Sequence, residues 1–210
     1  MAETTVAQVM AELAALEDPK ARAVNEKHGD DHGVNLGELR ALAKRLKTQQ
    51  ELARRLWETD DTAARLLAIL ICRPKAFERS ELDVMVREAR TPKVHDWLVN
   101  YVVKKNPHSE ELRMAWSADP DPVVASAGWA LTTERVAKKP EGLDLAELLN
   151  VIEAEMKDAP DGLQADYGVA LVSTVHYYSR DPEAVQRAGQ ASNSRNEFGR
   201  CVDHSCEQAD

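Results

Sequence analysis

The sequence is poor in most features that would mark a secreted, fibrous or membrane-bound chain. Its 210 residues hold three cysteines, an odd number, and Cys72 lies inside an apolar run. No disulfide framework is therefore expected. Nine glycines and nine prolines are too few for a low-complexity chain. The longest apolar run, Leu66-Leu67-Ala68-Ile69-Leu70-Ile71-Cys72, falls far short of the roughly 20 residues that a membrane span needs. Met1-Ala2-Glu3-Thr4-Thr5 shows no basic region leading into an apolar one, so no signal peptide is read. Phosphate-loop, nucleophile-elbow and H-E-x-x-H patterns are missing too. These absences predict a soluble, cytoplasmic protein.

What is present is charge, unevenly placed. Lys and Arg number 27 against 36 Asp and Glu, a net charge of −9. Bulk composition alone does not suggest a nucleic-acid or membrane-surface binder. Yet residues 1–140 are neutral, with 22 charges of each sign, and residues 141–210 carry the whole deficit. Residues 40–105 hold 15 basic against 9 acidic side chains. Arg40, Lys44, Arg45, Lys47, Arg54 and Arg55 are opposed within their stretch by Glu51 alone. Such a middle can present a positive face to a polyanion; the plain alternative is a set of solvated helix faces.

The apolar pattern is helical throughout. Leu36, Leu39, Leu42, Ala43 and Leu46 recur as one face of a helix, with Asn35 placed to cap it. Asp60 or Asp61 opens the run ending at Cys72, and Pro74 stops it. Ser80-Glu81-Leu82-Asp83 resembles a capping box. Thr91-Pro92, Asp119-Pro120, Asp121-Pro122 and Asp181-Pro182 offer a cap followed by proline at the first helical position. Asp144 precedes the stripe Leu145, Leu148, Leu149, Ile152, Met156. Residues 4–16 and 19–27 read as a terminal helix pair. No run alternates with period two between hairpin turns. The fold class is all-α. Helix pairs opening near residues 36, 80, 119 and 160 would repeat every 40 residues or so, the length of a HEAT-type repeat. Stacked pairs make a solenoid with a concave face, here one domain over residues 1–190, with residues 191–210 a loose tail.

His32-Gly33-Val34-Asn35-Leu36-Gly37-Glu38-Leu39-Arg40-Ala41-Leu42-Ala43-Lys44 resembles the opening signature of the DNA alkylation repair family, the AlkD-like alkylpurine DNA glycosylases. Further pieces fit in the same order: Leu56-Trp57 followed by Arg65, Leu82-Asp83 leading to Asp96-Trp97, and Trp116 followed by Pro122 through Leu131. Together they cover about residues 1–160. The resemblance implies a superhelix of HEAT-like repeats that binds duplex DNA and excises cationic N3- or N7-alkylated purines. Alkylation makes the base a good leaving group, so the enzyme needs a carboxylate for the oxocarbenium-like sugar. It also needs aromatic faces for a cationic nucleotide and basic groups for the backbone.

The same resemblance exposes departures. The family's active helix places its catalytic Asp four residues after an aromatic. Here apolar spacing puts Asn100 at that position, and alignment on Trp97 puts Tyr101 there; neither is a carboxylate. Asp96 is the nearest one, a turn earlier. The candidate site is therefore Asp96, Trp97, Asn100 and Tyr101. Candidate DNA contacts are Arg40, Lys44, Arg45, Lys47, Lys104 and Lys105. The phosphate-binding Arg of the next repeat would fall near Ala125 or Ser126, where none stands. The last aromatic is also missing, with Tyr167, Tyr177 and Tyr178 as stand-ins. Trp57, Trp116 and Trp129 read as core. Asp30-Asp31-His32 reads as a polar turn. Cys201, Asp203, His204 and Cys206 are metal-ligand types whose spacing fits no standard zinc pattern, so neither metal nor cofactor is expected. Three functions stand: an alkylpurine glycosylase with a rearranged site, a DNA-binding relative that has lost catalysis, or a protein-interaction scaffold. Double-stranded DNA and a monomeric state are the expectation.

Overall fold

A computed structural model describes residues 4–139 and 141–158. Ten α-helices follow one another: α1 (Val6–Ala15), α2 (Pro19–Glu26), α3 (Leu36–Leu46), α4 (Gln50–Trp57), α5 (Thr62–Ile71), α6 (Arg79–Glu88), α7 (Pro92–Trp97), α8 (Ser109–Trp116), α9 (Pro122–Lys138) and α10 (Leu145–Asp158). Among the described residues there is no β-strand, only an isolated bridge between Glu17 and Val34. The chain divides into two compact units at Leu112/Arg113.

In the first unit α5 is the central element. Eight of its ten residues are buried, among them Leu66 and Leu67, which are fully covered. It packs against its hairpin partner α4 and lies between α3 and α7. Side chains join α4 to α6 separately, through Arg54–Glu81 and Trp57–Glu88. Helix faces assign this order: α3 buries Leu39 and Leu42, and α4 buries Leu52, Ala53, Leu56 and Trp57. Each is the apolar stripe of an amphipathic helix.

Local signals explain most boundaries. Thr5 and Gln8 form a reciprocal capping box on α1. The Asn35 carboxamide oxygen accepts from Gly37 N–H, the Asp61 carboxylate from Ala64 N–H. Asp60, at φ +59, makes the left-handed turn that separates α4 from α5. The expected box at Ser80 and Asp83 does not form. Instead the Glu81 carboxylate accepts from Glu78 N–H at 2.8 Å, so Glu78 is the cap and α6 starts at Arg79, two residues earlier than a Ser80 cap would place it. Asp83 turns along the helix to Arg87, a pairing one helical turn apart. Helix pairs open at Gln50, Arg79 and Ser109, so the interval is near 30 residues rather than 40. The two helices of each pair are joined by only three to five residues.

In the second unit α8 ends on fully buried Trp116, and α9 crosses it at Gly128. A Cβ there would lie 2.3 Å from the Ser117 backbone nitrogen, so the crossing requires glycine. Asp121 caps α9 through Val123 N–H, with Pro122 at the first position, and Asp144 caps α10 through Glu147 N–H. Asp119-Pro120 starts no helix; the Asp119 carboxylate instead accepts from Asp121 N–H in the turn. Asp181-Pro182, the pair expected near residue 160 and the 191–210 stretch lie outside the described residues.

Candidate nucleic-acid interface

The start of α7 is fixed from far away in sequence. Thr91 precedes Pro92 as expected, but its side chain makes no cap bond. The cap comes from Asp30, 63 residues earlier, whose carboxylate accepts from Lys93 N–H at 2.9 Å. Asp30 is buried, and neighbouring Asp31 accepts from the Thr62 hydroxyl at the start of α5. The Asp30-Asp31-His32 turn thus pins the N-termini of two neighbouring helices. His32 beside it is buried, and burial holds its imidazole below the ordinary histidine range, against the pull of Asp30 and Glu17. The Glu17 carboxyl is itself opposed by burial, but hydrogen bonds from Arg22 and Gly33 outweigh that and keep it below the usual carboxylate range.

Beyond Trp97 the helix widens into a π turn over Leu98–Val102 and tightens into a 3₁₀ turn at Val103–Lys105. A π turn holds one extra residue, so side chains four apart drift less around the axis than in an α-helix. Val94, Leu98, Val99, Val102 and Val103 face the core. Two straight files remain on the other side.

The first file is polar. Asn100 donates to the Asp96 carboxylate at 2.7 Å and to its carbonyl at 2.9 Å, while Lys104 donates to the Asn100 carboxamide oxygen at 2.7 Å. The second file is aromatic and basic. The Trp97 and Tyr101 rings sit 5.4 Å apart at 60°, and the Lys105 ammonium lies 5.5 Å above the Tyr101 ring. From α3, the Arg40 guanidinium lies 5.2 Å over Trp97. Arg40, Trp97, Tyr101 and Lys105 therefore form one continuous row. Trp97 is buried; Tyr101 is exposed.

The basic residues of α3 divide. Lys44 lies one turn beyond Arg40 on the same face. Lys47 follows at the C-cap, at φ +58. Arg45 points elsewhere and pairs with Glu12 of α1. Among the described residues, no carboxylate stands within ion-pair distance of Arg40, Lys44, Lys47 or Lys105.

The first unit also holds a cleft of about 980 Å³ along α4 and α6, lined by Arg54, Trp57, Arg65, Phe77, Glu81 and Glu88 among others. Here too guanidinium groups cover rings: Arg54 over Phe77 at 5.6 Å and Arg65 over Trp57 at 4.9 Å. These cations are spoken for. Arg54 bonds Glu51 and Glu81; Arg65 bonds Asp60 and Glu88 and donates to two backbone carbonyls.

The sequence matches the family model described as "DNA alkylation repair enzyme" over residues 9–198. The chain belongs to the DNA alkylation repair enzyme family. Its fold is similar to a solved structure described as "a new family of proteins related to the HEAT-like repeat DNA glycosylases with affinity for branched DNA structures". The TM-score is 0.78 at 19% identity, covering 98% of this chain and 95% of that one. The HEAT-like all-helical fold is thereby established. No curated protein matches the sequence.

Asn100 is held by hydrogen bonds to Asp96 and Lys104, and Tyr101 is partly exposed. One oxygen of the Asp96 carboxylate accepts from Asn100. Ala125 and Ser126 lie on α9 of the second unit. Tyr167, Tyr177, Tyr178 and the Cys201–Cys206 stretch fall outside the described residues. Among the described residues no group of three metal-ligating side chains converges, and no helix is long and apolar enough to cross a membrane. Burial pushes the Cys72 thiol up to about 12, so it is no nucleophile. Sequence reasoning missed the Asp30 cap, the Glu12 partner of Arg45 and the π turn. Capping signals are sought beside a helix, not 63 residues away, and a π turn carries no residue signature.

Proposed function

We propose that this family member binds DNA through the Arg40–Trp97–Tyr101–Lys105 row, reading backbone and shape, and does not excise bases. The observation that carries this reading is the pairing state of the cations. Arg40, Lys44, Lys47 and Lys105 share the α3/α7 side of the first unit without carboxylate neutralisation among the described residues, while Arg45, Arg54 and Arg65 are bonded to acids. Unpaired cations keep their charge for phosphates and release counterions on binding. Excision would need a free carboxylate facing a cationic nucleotide. Position 100 offers a neutral amide instead, and Asp96 is held by it.

The structural neighbour is described as having affinity for branched DNA, and this chain's row fits the same class of ligand. The test is fluorescence anisotropy with a short duplex and a three-way junction over a salt series. Four phosphate contacts give a log–log slope near −3.5. Salt-independent binding, or none at low salt, removes the DNA reading and leaves an interaction scaffold. A release assay on alkylated DNA completes the test: 7-methylguanine or 3-methyladenine freed faster than spontaneously, and lost in Asp96→Asn, would restore the enzyme.

A further inference from the structure

Tyr101 is the exposed aromatic of the first unit. Every other described aromatic side chain (Trp57, Phe77, Trp97, Trp116, Trp129) is no more than 5% exposed, whereas Tyr101 is 36% exposed. Core packing does not account for it. Its neighbours Val99, Val102 and Val103 serve the core, and the π turn carries its ring outward past them. The ring rests against the edge of Trp97, which Arg40 covers in turn, so it is braced from within the protein. The Lys105 ammonium lies 5.5 Å from the ring on a flexible four-carbon stem.

Resting on the DNA-binding reading, we infer that Tyr101 is a stacking platform for an unpaired nucleobase, and that it is what makes this row prefer branched or gapped DNA over linear duplex. A paired base inside a duplex shows no free π-face. A base beside a branch or gap does, and stacking on an aromatic side chain is tolerant of sequence. Lys105 then lifts from the ring to the phosphate next to the stacked base, so the platform and its cation are used together. Asn100, held rigid between Asp96 and Lys104, lies beside the platform and supplies a polar edge without a negative charge that would repel the backbone. Arg40 and Lys44, one helix away, hold the paired arm.

The experiment compares the full chain with Tyr101→Ala and Tyr101→Phe on two ligands of equal length. One is a linear duplex; the other is a fork with unpaired 2-aminopurine at the branch. Circular dichroism and urea titration check that each variant is folded under the assay conditions. The wild type is expected to bind the fork more tightly and to quench 2-aminopurine fluorescence. Tyr101→Phe should keep both properties. Tyr101→Ala should lose the quench and about tenfold in fork affinity, with a clearly smaller loss on the duplex, where Tyr101 only supports the row. Equal losses on both ligands, or an undiminished quench in Tyr101→Ala, overturn the platform and leave DNA binding standing. If the wild type binds neither ligand at low salt, the DNA reading itself falls, and the platform with it.

Discussion

The first unit lays arginine over aromatic rings three times, and the three do different work. Arg54 over Phe77 and Arg65 over Trp57 are enclosed by Glu51, Glu81, Asp60 and Glu88 along α4 and α6. Arg40 over Trp97 has the same contact and no acid. The ring gives each guanidinium a comparable neighbour, so the carboxylates make the difference. Where acids close the charge, the pair ties helix to helix; where they are missing, the guanidinium is left exposed without a carboxylate. A cation–aromatic contact is therefore no functional signal until its ion pairs are known.

The widest separation is expected from Arg65→Ala. Its side chain is 11% exposed and serves the Trp57 and Glu88 carbonyls as well as two carboxylates. Removing it strands partly buried acceptors and should lower unfolding stability by about 3 kcal/mol in urea titration, with DNA affinity of the folded fraction unchanged. If instead stability holds and DNA affinity falls, the two sets of arginines have been assigned backwards.

Asp30→Ala sharpens the contrast from the other side. It removes the cap on α7 and should cost about 1–2 kcal/mol in the same titration, while Asp30→Asn, which keeps an acceptor, recovers part of it. The variant should also weaken DNA binding, because the helix carrying Trp97 and Tyr101 loses its anchor. Full affinity in Asp30→Ala would show that α7 is positioned by its apolar face alone.

A smaller effect is expected from pH. Folded His32 has a depressed proton affinity, so the unfolded chain binds the extra proton first as pH falls through the ordinary histidine range. Stability should therefore decline between about pH 7 and pH 5, and His32→Gln should flatten that slope. The carboxyls of Glu17 and Glu81, both held low, take effect only at more acid pH. An unchanged slope in His32→Gln would remove His32 as the cause of the decline.

What could be read from sequence followed the range of the interaction. α3 was legible to within a residue because its leucine stripe and the Asn35 cap are local. The caps at Asp121 and Asp144 were legible for the same reason, and that of α5 was narrowed to Asp60 or Asp61, of which Asp61 is the cap. Family membership followed from motif order. The Ser80 box failed because Glu81 had a competing bond, to Arg54 27 residues away. Arg45 could not be told from Arg40 by charge: its acid, Glu12, lies 33 residues back on another helix. Pairing between helices decides which cations are left over, and spacing along one helix does not contain it.

The most direct test is the salt dependence of DNA binding for Arg40→Ala beside Arg54→Ala, each measured on folded protein. Losing one phosphate contact should cost Arg40→Ala about tenfold in affinity and flatten the log–log slope by about one unit, while Arg54→Ala should overlay the wild type. Equal slopes for Arg40→Ala and wild type, or a flattened slope for Arg54→Ala, would contradict the claim that unpaired cations on α3 and in the turn after α7 hold the DNA.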